Sequence, residues 1–328
     1  MDVLSSILQN VRLTGAVFFD VRAQEPFVAE TPDMEVVGKA VMPESEHVVP
    51  FHIMMRGSCW IESTNSSFEP VKFDEGDVVI FPHGHGHAFV TTLGDRCPPE
   101  LGMYRRFQDH PLPFVVDFND HGVWDTRFVC GYLGLDPLPF NPLLEALPDM
   151  TIAKRTADTS HIEVDLINEA IGELATDRSG GEAILARLSE LLFVRVLRRY
   201  IEEMPDYSAG WLAGIKDPKV RKALIYIHAD PSKQITLDDL AKSAAMSRSA
   251  FSERFTSCVG ESPMHYLTRW RMSIASQLLR HTHKPVHEIA ECAGYSSETA
   301  FQRAFKNIVG HPPGKWRRLN GSSVSGND

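Results

Sequence analysis

The sequence predicts an α+β multidomain protein, and three observations predict it. Short runs of β-branched and aromatic residues broken by Gly, Pro, Asn and Asp fill the first 135 positions. Helical apolar periodicity replaces them from about residue 161. The last hundred residues then contain one helix-turn-helix pattern written twice. Many short strands at close intervals imply a closed barrel or a double-sheet sandwich. A fixed internal period implies a repeated supersecondary unit.

In chain order, residues 1–14 carry Val3, Leu4, Ile7, Leu8 and Val11 at helical spacing. AVFFDV, KAVMP, HVVPFHIMMRG, SCWIES, DVVIFP, HAFVTT and RFVCGYLGL follow as expected strands. Residues 95–122, rich in Pro, Arg and Asp, read as a long loop, either mobile or covering a ligand. NPLLEALPDM is a Pro-bounded connector. Two helices are expected next, over 161–175 and 181–204. The second is apolar from Ile184 to Ile201 over more than one packing face, so one side can cover the barrel or its partner helix and the other is open to a two-fold dimer contact, the alternative being that both pack within the chain. The expected divisions are 1–150 for a sensor domain and 151–205 for a helical dimerisation and connecting segment. A linker follows at 206–217, then the unit that holds the doubled helix-turn-helix pattern at 218–320 and a disordered tail at 321–328.

The repeat is defined by Phe251 and Phe301, Phe255 and Phe305, Gly260 and Gly310, Pro263 and Pro313, and Tyr266 and Trp316, each pair fifty positions apart. In each copy a first helix (Leu237, Leu240, Ala241; Val286, Ile289, Ala290) leads through a short turn to a second helix. Ser247 and Ser296 are placed to cap that second helix. Gly294 suits the left-handed turn between the helices, and Ala245 in the first copy suits it less well. The Phe pairs at i and i+4 face inward, which leaves the residues between them for a major groove.

Charge agrees with this division. The chain carries a net −10, but residues 218–319 hold 16 Lys and Arg against 8 Asp and Glu, and residues 1–217 hold 17 against 34. A basic lobe joined to an acidic one is the asymmetry of a nucleic-acid reader attached to something else. No apolar run reaches the eighteen residues of a membrane span, and the first residues do not read as a signal peptide. Five cysteines without CxxC spacing suit reduced thiols, so a cytoplasmic protein is expected.

The stretch from Asp217 to Leu319 resembles the DNA-binding domain of the AraC/XylS family of transcriptional regulators. Ala290, Gly294, Tyr295, Phe301, Arg303, Phe305, Lys306, Gly310, Pro313 and Arg317 fall on the family pattern. The resemblance implies two helix-turn-helix units joined by one long helix over 263–280, reading successive major grooves about 34 Å apart. By the same resemblance the outward positions are Arg248, Ser249, Ser252 and Glu253 in the first recognition helix, and Glu298, Thr299, Ala300 and Arg303 in the second. Arg303 is the expected guanine reader, since Arg pairs bidentately with guanine. Arg248, Arg269, Arg271, Lys306 and Arg317 are expected on phosphates; the alternative for each is a solvated surface charge.

Upstream, Gly76 to His87 (GDVVIFPHGHGH) resembles the second sequence motif of cupins. The trailing Asn is absent, and the two His and the Glu of the first cupin motif are not reproduced around His52. The resemblance implies a cupin-like β-barrel in front of the helical unit. His52, His85 and His87, with His47 as a further candidate, are the expected ligands if a divalent metal such as Zn is held. The alternative is a barrel-mouth His87 bonded to backbone. Cys59 and Cys130 sit in apolar runs as small hydrophobes. Cys97, beside Arg96, is the candidate redox thiol.

These readings lead to a sequence-specific DNA-binding regulator, an activator by the family's habit. A homodimer is expected, controlled by a small-molecule, metal or redox signal in the barrel, with RNA polymerase as a partner and no membrane. Two alternatives remain open: a metal-dependent cupin enzyme fused to a DNA reader, and a constitutive regulator whose degenerate cupin serves only for dimerisation.

Overall fold

The computed structural model describes residues 2–10, 13–14, 18–108, 114–118, 123–135, 139–155, 180–205 and 210–321, with Asp165, Asn168 and Gly172 singly. The chain forms two compact units. One is Leu13–Pro137 with Leu147–Glu203; the other is Met1–Arg12, Leu138–Ala146 and Met204–Asp328. The first twelve residues and Leu138–Ala146, both placed in the sensor half by sequence, therefore cluster with the helical unit.

The β unit has two sheets. The larger runs Thr151–Ala153, Val78–Ile80, His47–Arg56, Thr126–Leu135, Phe18–Ala23, Phe114–Phe118, with Leu13–Thr14 also on Thr126–Leu135. The smaller runs Val28–Thr31, His87–Val90, Ser58–Ser63, Val71–Asp74. All pairings are antiparallel except Phe18–Ala23 with Phe114–Phe118. Phe19, Val21, Met54 and Phe128 of the larger sheet and Ile61, Phe73 and Phe89 of the smaller one share a single apolar core. The long central strand His47–Arg56 is buried from Val48 to Met55, because neighbours cover both of its faces.

Several expectations need correction. KAVMP is not a strand: Lys39–Val41 end the helix Met34–Val41, whose Met34, Val37, Gly38 and Val41 are buried at helical spacing. The loop expected over 95–122 contains a 3-10 helix, Leu101–Gln108, and the strand Phe114–Phe118. Within the Pro-bounded connector, Pro142–Ala146 is helical. The expected helix over 161–175 lies outside the described residues, apart from Asp165, Asn168 and Gly172, which are helical. The helix Gly181–Glu203 forms as expected. Its Leu185, Ser189, Leu192, Phe193, Val196 and Leu197 are buried, while Ile184 and Leu191 are exposed. Of the linker 206–217, Trp211–Lys216 is a helix with Trp211 and Leu212 buried. An apolar face of that size gains more by packing than by hydration.

In the cupin-like motif, Gly84 adopts φ +71°, and a Cβ there would lie 2.9 Å from Met34 Cβ and 3.1 Å from Val48 O. Backbone handedness and close approach both demand glycine at that turn.

The helical unit contains Val3–Asn10, Pro142–Ala146, Trp211–Lys216, Pro218–Ala229 and the two repeats. The first repeat is Leu237–Ser243 and Arg248–Val259; the second is Val286–Cys292 and Glu298–Val309. Pro263–His281 joins them, and Pro313–Asn320 follows. Phe251, Phe255, Phe301 and Phe305 are fully buried. Thr236 and Asp239 form a capping box at the first helix of repeat one. Ser247 caps the first recognition helix, its side chain accepting from Ala250 N–H. In the second copy the cap is Ser297, not Ser296: Ser297 accepts from Ala300 N–H. The second turn has one residue more than the first, which moves the cap by one place. Both turns need a left-handed residue, Ala245 at φ +52° and Gly294 at φ +75°.

Candidate nucleic-acid interface and barrel cavity

The second helix of each repeat presents a polar exposed face. Arg248, Ser249 and Glu253 are exposed and Ser252 is half-buried; Glu298, Thr299, Ala300, Arg303 and Lys306 are exposed. Glu298 Oε1 accepts from Gln302 Nε2 at 2.7 Å, so this carboxylate is held along its own helix. Gln302, exposed one turn on, is a polar group on that face which the sequence reading passed over. Its signal was available, since i and i+4 residues are neighbours on a helix.

The expected phosphate contacts divide. Arg248 and Lys306 are exposed on the surface of their helices. Arg269 is engaged: its guanidinium donates to both oxygens of Glu145 at 2.9 Å and to Glu261 at 3.1 Å, and it lies 3.8 Å over the Phe140 ring. Arg317 donates to the carbonyls of Leu279 and Lys284, and Arg271 to those of Pro231 and Lys233. Arg271 and Arg317 thus tie backbone carbonyls and Arg269 ties two carboxylates, so each of these expected phosphate contacts also has an intramolecular role. The joining helix is further fixed at Tyr266. Its hydroxyl accepts from Trp211 Nε1 and bonds His228 Nε2, each at 2.8 Å, and Ser273 Oγ donates to Phe140 O at 2.6 Å.

In the β unit, the histidines expected to converge on a metal mostly separate. His47 Nε2 bonds Pro82 O at 2.6 Å, His83 Nε2 bonds Leu147 O at 2.9 Å, and His85 Nδ1 lies 3.2 Å from Asp149. Among the described residues no group of three or more His, Cys, Asp or Glu side chains is placed to hold a metal ion. Of the expected donors His47, His52, His85 and His87, only His52 and His87 meet one another.

That pair is fully buried and bridges the two sheets, Nε2 to Nε2 at 2.7 Å. His87 Nδ1 bonds His85 O at 3.0 Å, and because a carbonyl only accepts, that nitrogen carries a proton. His87 Nε2 is then the acceptor, and His52 Nε2–H donates to it. The remaining nitrogen, His52 Nδ1, accepts from the Cys130 thiol at 2.8 Å. Cys130 and His52 are direct cross-strand partners. The result is one directed chain, Cys130 to His52 to His87 to a backbone carbonyl. Phe81, stacked on His87 at 3.6 Å, together with Phe89 and Phe128, encloses it. Burial keeps both rings neutral, with His52 well below the ordinary histidine value and His87 down to about 4. Burial also pushes the Cys130 thiol well up. This contact joins residues 78 positions apart, and nothing local in the sequence signals it.

Cys130 also lines a small, partly open pocket of the β unit. Its walls are mainly apolar, with Phe19, Met103, Val116, Phe128 and Tyr132 among them. Cys97, the expected redox thiol, is exposed, but the cation beside it is engaged: Arg96 donates through two nitrogens to Glu30.

Comparison with known proteins decides the family. Residues 2–202 match a cupin family model and residues 240–319 a helix-turn-helix domain model. A protein of Streptomyces lividans described as an AraC-like transcription regulator is 34% identical over 283 residues, covering 85% of this chain and 90% of that one. The chain belongs to the AraC family of transcriptional regulators. The RCS-specific HTH-type transcriptional activator RclR of Escherichia coli is 30% identical over 197 residues, 58% of this chain and 68% of that protein. Among solved structures, the C-terminal domain of AraT from Geobacillus stearothermophilus is 36% identical, covering 34% of this chain and 93% of that chain, at a TM-score of 0.33. This AraC-family chain thus joins a cupin half to a DNA-binding half. Among the described residues no helix is long and apolar enough to cross a membrane.

Proposed function

We propose that this AraC-family protein is a ligand-responsive transcriptional activator. In this reading a small apolar effector occupies the barrel cavity, and the two recognition helices read two major-groove segments of double-stranded DNA. The observation that carries the reading is the cavity itself. A constitutive regulator has no use for an unfilled apolar pocket lined by Phe19, Phe89, Phe128, Tyr104 and Tyr132, and a filled core would be more stable. An effector shifts the equilibrium only by binding two states of the protein unequally. Activation is supported by the similar RclR, named as an activator; RNA polymerase is the partner that an activator would engage. Homodimerisation is supported by Ile184 and Leu191, seven residues apart on one face of the helix Gly181–Glu203 and exposed. The cysteines, all free, suit a cytoplasmic setting.

The test is selection of bound sequences from a random DNA duplex library with the full-length chain, followed by anisotropy titration with and without small apolar compounds. The reading expects two read segments about 10 base pairs apart and an affinity that changes with a compound. A single read segment, or an affinity indifferent to every compound that binds the barrel, would overturn it.

A further inference from the structure

DNA recognition makes no use of the chain Cys130–His52–His87, and a polar chain inside an apolar core costs stability unless every member is satisfied. The chain's open end is Cys130, on the cavity wall beside Phe128, Tyr104 and Tyr132. A thiol 2.8 Å from an imidazole nitrogen, with that imidazole oriented by a second one, has the geometry of nucleophile, base and orienting group. We propose that Cys130 is a covalent capture site and that the barrel takes small, uncharged, soft electrophiles of the α,β-unsaturated carbonyl class. This deepens the sensor reading above, on which it rests, by naming the chemical class of the effector.

The step balances without an oxidant. Cys130 Sγ forms a bond to the β-carbon of the enone while its proton passes to His52 Nδ1. The C=C pair moves toward the carbonyl oxygen, giving an enolate. The same proton then goes to the α-carbon, and the product is a thioether in which S–H has added across the double bond. While His52 holds the extra proton, its Nε2–H leans on His87 Nε2, and His87 Nδ1–H on His85 O. The positive charge is thereby shared with a chain that ends on a carbonyl dipole.

The wall suits this chemistry. Burial raises the Tyr104 phenol to about 12 and the Tyr132 phenol well above its ordinary value, so both stay protonated; Tyr132 donates to Tyr104, which leaves the Tyr104 proton for a carbonyl oxygen that gains charge. Tyr104 is hydrogen-bonded to Tyr132 and Thr31, which fixes the pair on one side of the cavity. The apolar remainder favours uncharged compounds. At rest Cys130 is a neutral thiol and His52 a neutral base, so the proton moves only as the S–C bond forms.

The experiment uses the purified full-length chain and its Cys97→Ser variant, incubated with 2-cyclohexen-1-one. Peptide mass mapping follows the adduct over time in the folded and the guanidinium-unfolded protein, and anisotropy follows DNA affinity before and after labelling. One enone is expected on Cys130, at a rate that saturates with concentration and exceeds the unfolded rate roughly tenfold or more. His52→Gln is expected to bring the folded rate down to the unfolded one, with the thermal transition reporting that the variant is folded. The proposal is overturned if Cys130 reacts no faster folded than unfolded, or if the wild-type chain is labelled at Cys97 alone. Fast capture at Cys130 with unchanged DNA affinity upholds the capture site and removes the sensor reading.

Discussion

Replacing Gly294 by Ala tests the tightest point of the second repeat. Gly294 lies at φ +75°, and an added Cβ would fall 2.8 Å from Pro231 O and 2.7 Å from Arg271 Nη2. The left-handed backbone costs an L-residue roughly 1–2 kcal/mol. The collision cannot be relieved cheaply, because Pro231 O is backbone and Arg271 is itself donating to Pro231 O and Lys233 O. Displacing that guanidinium loses charge-assisted hydrogen bonds worth roughly 1–3 kcal/mol in all. The sum is about 2–5 kcal/mol. Ala245 is the counterpart at φ +52° in the first repeat, where the same strain is already present. Ala245→Gly removes it and returns about 1 kcal/mol, less the extra freedom of glycine in the unfolded chain. Urea unfolding of the full-length chain, followed by far-ultraviolet circular dichroism and by Trp fluorescence, reads both variants. With a slope of about 1–3 kcal/mol per M, the midpoint of the helical unit falls by roughly 1 M or more for Gly294→Ala and rises slightly for Ala245→Gly. A midpoint unmoved by Gly294→Ala would refute the reasoning from close approach, and a fall with Ala245→Gly would refute the reasoning from strain.

The other predictions concern recognition, structure and pH. Arg303→Ala, at an exposed position of the second recognition helix, should cost about 1–3 kcal/mol at the selected DNA site and relax preference at one base pair; competition anisotropy measures both. Arg269→Ala should lower the melting temperature, since Glu145, Glu261 and the Phe140 ring lose their partner. It should leave the dependence of DNA affinity on salt unchanged, whereas loss of a phosphate contact would reduce that slope by about 1. The buried histidines set an acid limit. His52, His87 and His228 all lie below the ordinary value of 6.5 in the folded chain, His87 at about 4 and His228 at about 3, because burial disfavours the charged ring. Between those values and 6.5 the unfolded chain binds protons that the folded chain does not, so stability is full above pH 6.5 and falls as the pH drops toward 4. Thermal melts across that range should show the loss, and His87→Gln should flatten it; a stability constant from pH 7 to 4.5 would contradict neutral buried rings.

Sequence patterns are most informative where the determining contacts are local. The repeat was legible because Phe251, Phe255, Phe301 and Phe305 sit at helical spacing inside single helices, and because caps and turns are short-range devices. Even there, one additional residue in the second turn moved the cap from Ser296 to Ser297. KAVMP was misread for a related reason: its apolar residues suit a strand locally, and the helical period appears only when Met34 and Val37 are included. The histidines show the limit more plainly. Five of them within forty-one positions suggest one metal centre, yet three bond elsewhere and two meet across the core.

What the sequence by itself determined is the division into a β-rich acidic half and a basic helical half, the doubled helix-turn-helix, and the exposed faces of its second helices. Each follows from periodicity, propensity and charge within a few turns of chain. Only the tertiary structure decided that Arg269 serves Glu145 and Glu261, that Leu138–Ala146 packs with the helical unit, and that Cys130 faces His52. Those outcomes depend on strand register and on the packing of whole elements: Cys130 and His52 are 78 positions apart, and Arg269 and Glu145 are 124. At such separations the partner is chosen by the three-dimensional fit of whole elements, and no local pattern encodes it.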